Sequence, residues 1–172
     1  MSEEQLKKHI EATRSDKVQV RGFVRCRQYD EKGKLLVDTG YSENGVTATG
    51  VAAMAGLTGN VGSVTAFTFA ATGSGTTAFA KSQTALVTEI VANGLERAAA
   101  TVTRSTTTDT NDTLQFDKTF SVTGTQSVEE VGIFNAASAG IMLARKLTGT
   151  LSFLNGHSFA LTYKIVIVAS SS

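Results

Sequence analysis

Residues 128–146, VEEVGIFNAASAGIMLARK, decide how the rest of the chain is read. Val131 and Ile133 alternate with their neighbours as in a β-strand with one buried face. Asn135-Ala-Ala-Ser-Ala-Gly140 turns the chain, and Ile141 to Lys146 returns as a second strand. The stretch is a β-hairpin with a loop longer than the tightest two-residue turns. Glu129 and Glu130 are neighbours in the first strand and so point to opposite faces. Glu130 shares its face with Val128 and Phe134, which makes it a partly buried carboxylate in need of hydrogen-bond donors. Gly132, inside the strand, marks the close approach of another chain segment.

Working outward, Ser158 to Val168 puts Phe159, Leu161, Tyr163, Ile165 and Ile167 on one face and Ala160, Val166 and Val168 on the other. A strand apolar on both faces belongs inside a sheet. Arg97–Thr106 and Thr113–Val122 form an antiparallel pair around a turn-forming Thr/Asp/Asn run. Val64 to Ala71 is almost wholly apolar and reads as another central strand. The loop after it carries Gly73 and Gly75, whose expected use is a positive φ. Without a following Gly-Lys-Ser/Thr it is a turn and no phosphate cradle. Gln83 to Ala92 has Leu86, Val87 and Ile90 at helical spacing, with Asn93-Gly94 as a stop.

Nearer the N-terminus, Lys17 to Tyr29 alternates: Val18, Val20, Val24 and Cys26 face one way, and Arg21, Phe23, Arg25, Arg27 and Tyr29 the other. Lys34 to Thr39 closes a hairpin with it. Thr47 is an N-cap for a helix that turns Val51, Met54 and Ala55 inward, and Gly56 and Gly59 bracket its exit. Ser2 to Ala12 is a short helix with Ser2 and Gln5 in capping-box spacing and Leu6 and Ile10 on one face. So narrow a stripe must dock on something, either its own domain or a neighbour. The expected fold is therefore mainly β: an antiparallel β-sandwich of seven or eight strands with two or three short helices, including the N-terminal one. It divides into a helical arm, residues 1–14, and a single domain, residues 15–172.

Composition narrows the function. A chain of 172 residues forms one domain with a real core. A lone Cys26 forms no internal disulfide and, on the apolar face, is a small buried hydrophobe. An acidic, polar N-terminus and the lack of a long apolar run give no signal peptide and no membrane span, so synthesis in a cytoplasm is expected. A net charge of +1 gives no general attraction to nucleic acid. Charged residues are only 18%, while Thr, Ala, Gly, Val and Ser abound, a surface better suited to neighbours than to free solubility. His9 and His157 lack metal spacing, and no catalytic constellation can be built, so neither enzyme, cofactor nor metal is expected. A carbohydrate-binding module would want exposed aromatic residues, and there are three Tyr and no Trp.

Two stretches, FTFAATGSGTTAFAKSQTALVTEIV (residues 67–91) and the hairpin quoted first, resemble the N-terminal module of tailed-phage tail-collar fibre proteins. The matching positions are Gly73 and Gly75, then Thr84, Ala85, Leu86 and Glu89, then Glu130, Val131, Gly132, Ile133 and Phe134. The resemblance spans roughly Val64 to Val168. Residues 46–57 are also similar to a Thr-x-x-Gly helix of small phage virion proteins. Proline is missing after Gly75, and no fibre shaft follows Ser172. The resemblance thus implies a virion structural protein of tail, collar or baseplate, an adaptor and not a complete receptor-binding fibre. A capsid decoration or head-fibre protein is the alternative. Its expected partners are other virion proteins and copies of itself, without membrane or specific nucleic acid. Leu6, Ile10, Arg21, Arg25 and Arg27 are the candidate assembly contacts.

Overall fold

The computed structural model describes residues 1–13 and 17–169. The boundary expected after residue 14 lies outside the described residues. In chain order the elements are α1 (Glu3–Ala12), β1 (Gln19–Tyr29), β2 (Leu35–Asp38), β3 (Ser42–Val46), α2 (Ala48–Gly59), β4 (Phe69–Gly73), β5 (Ala98–Ala99), β6 (Thr101–Ser105), β7 (Thr113–Ser121), β8 (Gln126–Phe134), β9 (Met142–Phe153) and β10 (Ser158–Val168). The chain is mainly β and its strands pair antiparallel, as expected.

The strands form one sheet in the order β5-β4-β8-β9-β3-β1-β10-β7-β6, with β2 attached beside β1. The two ends of that order, β5 and β6, are separated only by Ala100. One bent stretch therefore pairs with β4 through Ala98–Ala99 and with β7 through Thr101–Ser105, curling the sheet into a nearly closed barrel. Elsewhere in the wall β3 switches in the same way: Ser42, Glu43 and Asn44 pair with β1, and Gly45 and Val46 with β9. The expected sandwich of two facing layers is thus replaced by layers made continuous at strand-switching corners. Ala98-Ala99-Ala100 at one corner and Gly45 at the other carry little side-chain bulk, which lets the backbone bend there.

The barrel interior gathers Val24 and Cys26 from β1, Phe116 and Phe120 from β7, Val131 and Ile133 from β8, Phe153 from β9, and Phe159, Leu161, Tyr163 and Ile165 from β10. Phe120 stacks on Phe159 at 5.9 Å between centroids. The last strand does lie inside the sheet, between β1 and β7. Ile167 nevertheless stands largely in solvent, while Val166 and Val168 lie under α1. Val18, expected inside, is also exposed.

Both helices lie outside the barrel. In α1 the capping box is complete, and Leu6 and Ile10 are buried against Phe23, Tyr41, Val166 and Val168. In α2, Thr47 accepts a hydrogen bond from the Gly50 N–H at 2.9 Å, and Asn60 closes the helix in the left-handed conformation. Its inner face differs from the expected one. Met54 packs on the core as expected, but Gly50 and Ala53 are the buried residues and Val51 is 48% exposed. A Cβ at position 50 would stand 2.5 Å from the Leu143 carbonyl, so the helix approaches β9 backbone to backbone. Only its glycine side fits that closely.

The helix expected over Gln83–Ala92 is not formed. These residues belong to an irregular strap, residues 74–97: Leu86 lies over the outer face beside Ala71, Phe134 and Met142, while Ile90 and Leu95 turn into the barrel core. Its amides find partners other than the carbonyl four residues back: Ser74 N–H donates to Thr88 O at 2.8 Å, and Ile90 N–H to Thr72 O at 2.9 Å.

Candidate functional site

The hairpin of β8 and β9 places Glu130 on the outer face of the sheet, beneath the strap, where it is completely buried. Its carboxylate is filled with donors. Oε1 accepts from the N–H of Gly75 at 3.1 Å and of Thr88 at 2.9 Å, and Oε2 from the N–H of Val87 at 3.2 Å and from Arg145 Nε. Arg145, equally buried, donates its other nitrogens to Gln83 Oε1 at 3.1 Å and Thr77 O at 2.9 Å. One ion pair thus reaches five points of the strap. A buried pair is tolerable when its polar atoms have partners, and here each guanidinium nitrogen and each carboxylate oxygen has at least one.

Gly73 and Gly75 serve this clasp by their lack of a side chain. Neither has a positive φ, contrary to the expectation. A Cβ on Gly73 would stand 2.6 Å from Glu130 Oε1, and one on Gly75 2.4 Å from the same atom. At Gly132 a Cβ would meet Leu86 Cδ2 at 3.0 Å, so the close approach expected there is that of the strap. Leu86 packs with Ala71, Phe134 and Met142 in a small apolar cluster under the strap.

A second ion pair closes the end of the strap. Glu89, bridged to Gly73, accepts both Arg97 Nε at 2.7 Å and Arg97 NH2 at 2.6 Å. Arg97 also donates to the carbonyls of Ala136 and Ala139 in the hairpin loop, and its guanidinium lies 3.5 Å from the centre of the Phe134 ring. Gly73, Gly75, Leu86, Glu89, Glu130, Gly132 and Phe134, scattered over 60 residues of sequence, are therefore brought to one place. The two arginines were missed. For Arg145 the signal is visible in retrospect: Glu130 and Arg145 sit symmetrically about the hairpin turn, each opposite in charge to the other.

No family model, curated protein or solved structure matches the chain.

The five candidate assembly residues lie elsewhere, around α1. Leu6 and Ile10 are buried against Phe23, Tyr41, Val166 and Val168 of the same chain, the docking on its own domain that was one of the two expected. Arg21 pairs with Glu43, whose Oε1 is also 3.1 Å from His9 Nε2. Arg25 donates to both oxygens of Asp38, and that hydrogen bonding draws the Asp38 carboxyl down to about 2. Arg27 reaches Thr162 Oγ1 at 3.5 Å. The N-terminal end of the helix is held by Glu3, which accepts from buried Lys164 at 2.8 and 2.9 Å. Burial raises the Glu3 carboxyl, but the bonds from Lys164 and Tyr41 outweigh it and leave it below its ordinary value.

Among the described residues, no group of three metal-ligating side chains forms and no helix is long and apolar enough to cross a membrane. Cys26 is buried in the barrel, and burial pushes its thiol up to about 12, leaving it protonated. His157 is engaged at 3.2 Å by Gln28 in the interior. A depression of about 320 Å³ lies between Val20, Arg21, Glu43, Asn44 and Val51, and one of about 300 Å³ borders Glu89 and Arg97 at the end of the clasp.

Proposed function

We propose that this chain is a non-enzymatic structural component of a bacteriophage particle, an adaptor at the tail, collar or baseplate. It is made in the host cytoplasm and held by other virion proteins and by copies of itself. The observation that carries the reading is the clasp. The residues on which the tail-collar resemblance rests converge on it, and every donor and acceptor named there points back into the chain. Such a cluster positions a strap, and its charged groups are engaged by one another and by the backbone of the same chain. In this reading the two-layered character of the barrel serves to present rigid outer faces to neighbouring proteins.

The test is to tag the protein in its phage, purify particles and locate and count the tag by electron microscopy. A small multiple of three or six copies on the tail axis is the expected result. Hundreds of copies on the shell would move it to capsid decoration, and absence from particles would overturn the particle assignment altogether.

A further inference from the structure

We infer that the free edge of β2 takes an extended, acidic segment of another protein as an added strand. The inference concerns the β1–β2 hairpin alone and does not rest on the particle reading.

The backbone sets the kind of partner. β2 pairs with β1 along one side, and no other strand pairs with it among the described residues. Thr39 N–H donates to Cys26 O at 3.0 Å and Val37 lies opposite Gln28, so in the alternation of an antiparallel ladder Asp38 turns its N–H and C=O away from β1. Leu36 falls at a register shift and has no residue of β1 opposite it. Such unpaired backbone groups are what an added strand binds. All four residues of β2 are exposed, Leu35 to 47% and Leu36 to 46%. Edges are commonly blunted by a charge or a proline inside the strand, and Leu35-Leu36-Val37 has neither.

Charge names its chemistry. The Asp30 carboxylate is engaged in the turn, where it accepts the N–H groups of Lys32 and Lys34 at 2.9 Å each. Asp38 is engaged by Arg25. Among the described residues no carboxylate pairs with the ammonium groups of Lys32 and Lys34. Behind β2, the Arg27 Nε on β1 is buried without a partner, and the guanidinium reaches only Thr162 Oγ1 at 3.5 Å. Against these three cations the hairpin sets the exposed carboxylate of Glu31. The edge is thus apolar in its strand and in positive surplus beside it. A second copy would bring the same surplus to the same edge, whereas a segment alternating apolar and acidic side chains complements both features.

The test is nuclear magnetic resonance titration of the isotope-labelled full chain with a short capped peptide alternating Glu and Val, beside one alternating Lys and Val. Saturable shifts at the amides of Leu35 to Asp38 are expected with the first, and binding of the second weaker by about tenfold or more. Lys32→Glu combined with Lys34→Glu should remove that preference. Leu36→Pro should abolish binding of the Glu peptide, since proline offers an added strand no N–H. The lysine changes fall on exposed positions and test the inference even where the proline disturbs the hairpin. Equal binding of the two peptides overturns it, as does the absence of shifts in β2, or a folded Leu36→Pro chain that binds unchanged. Shifts of the same amides with protein concentration alone would give the edge to a second copy and overturn it too.

Discussion

The two helices of this molecule sit on one barrel by opposite means. Helix α1 is amphipathic, capped and charged: it buries Leu6 and Ile10, and Lys164 and the Arg21–Glu43 pair hold its two ends. Helix α2 is apolar, uncharged and attached through Gly50, Ala53, Met54 and its own backbone. The difference teaches that burial depends on what a face can fit against and not on its hydrophobicity alone. Val51 was left outward because Gly50 is the residue that approaches β9, while Met54 still reaches the core. Its N-terminus is also tied to the strap, since Ala48 N–H donates to Lys81 O at 2.8 Å.

The largest effect should come from cutting that tie at its root. Arg145→Leu leaves Glu130 buried without its cation and should cost about 3–5 kcal/mol of stability in chemical denaturation, the magnitude for breaking a buried pair by removing one partner. Strap and α2 amides should lose protection first while α1 keeps its own. Next, Leu6→Ala should cost about 2–5 kcal/mol, felt at α1 and β10, with α2 exchange unaltered. Gly50→Val should detach α2 without disturbing α1, because its side chain enters the space held by the Leu143 backbone; nuclear magnetic resonance shifts confined to α2 and β9 would verify it.

Acid gives a smaller and more selective contrast. The hydrogen bonds that lower the Glu3 and Glu43 carboxyls below the ordinary value of 4.5 prevail over burial, which raises them. Groups with a depressed folded value stabilise above the ordinary value, and that contribution is lost as pH falls through the depressed one. Docking of α1 should therefore weaken below about pH 4.5, whereas α2, without a titratable residue, should not respond directly. Amide exchange followed from neutrality to about pH 3 would check this, and a parallel loss at both helices would break the comparison. The smallest effect is expected from Val51→Asp, within about 0.5 kcal/mol on the stability of the isolated domain.

Much of this architecture was legible in the chain. Alternation located β1, β7, β8 and β10, and cap chemistry located the start of both helices. The features that escaped depend on partners distant in sequence. Gln83–Ala92 has the spacing of a helix, but the carboxylate of Glu130 offers its amides stronger acceptors than a helix would. β3, Ser42-Glu-Asn-Gly-Val46, has almost no apolar pattern and exists because β1 and β9 both present edges to it. The barrel closes at Ala100, where nothing in the local sequence distinguishes a bend from a loop. At the clasp, the carboxylate and the glycines were visible, while the arginines that complete it were not, because a charge in a strand is ordinarily solvated.

The most direct measurement is amide hydrogen exchange of the purified chain at neutral pH. Protection of α1 should match that of the barrel, while α2, held by Gly50, Ala53, Met54 and one amide to the strap, should exchange faster. An α2 as protected as α1 would contradict the claim that the two helices are held by unequal means.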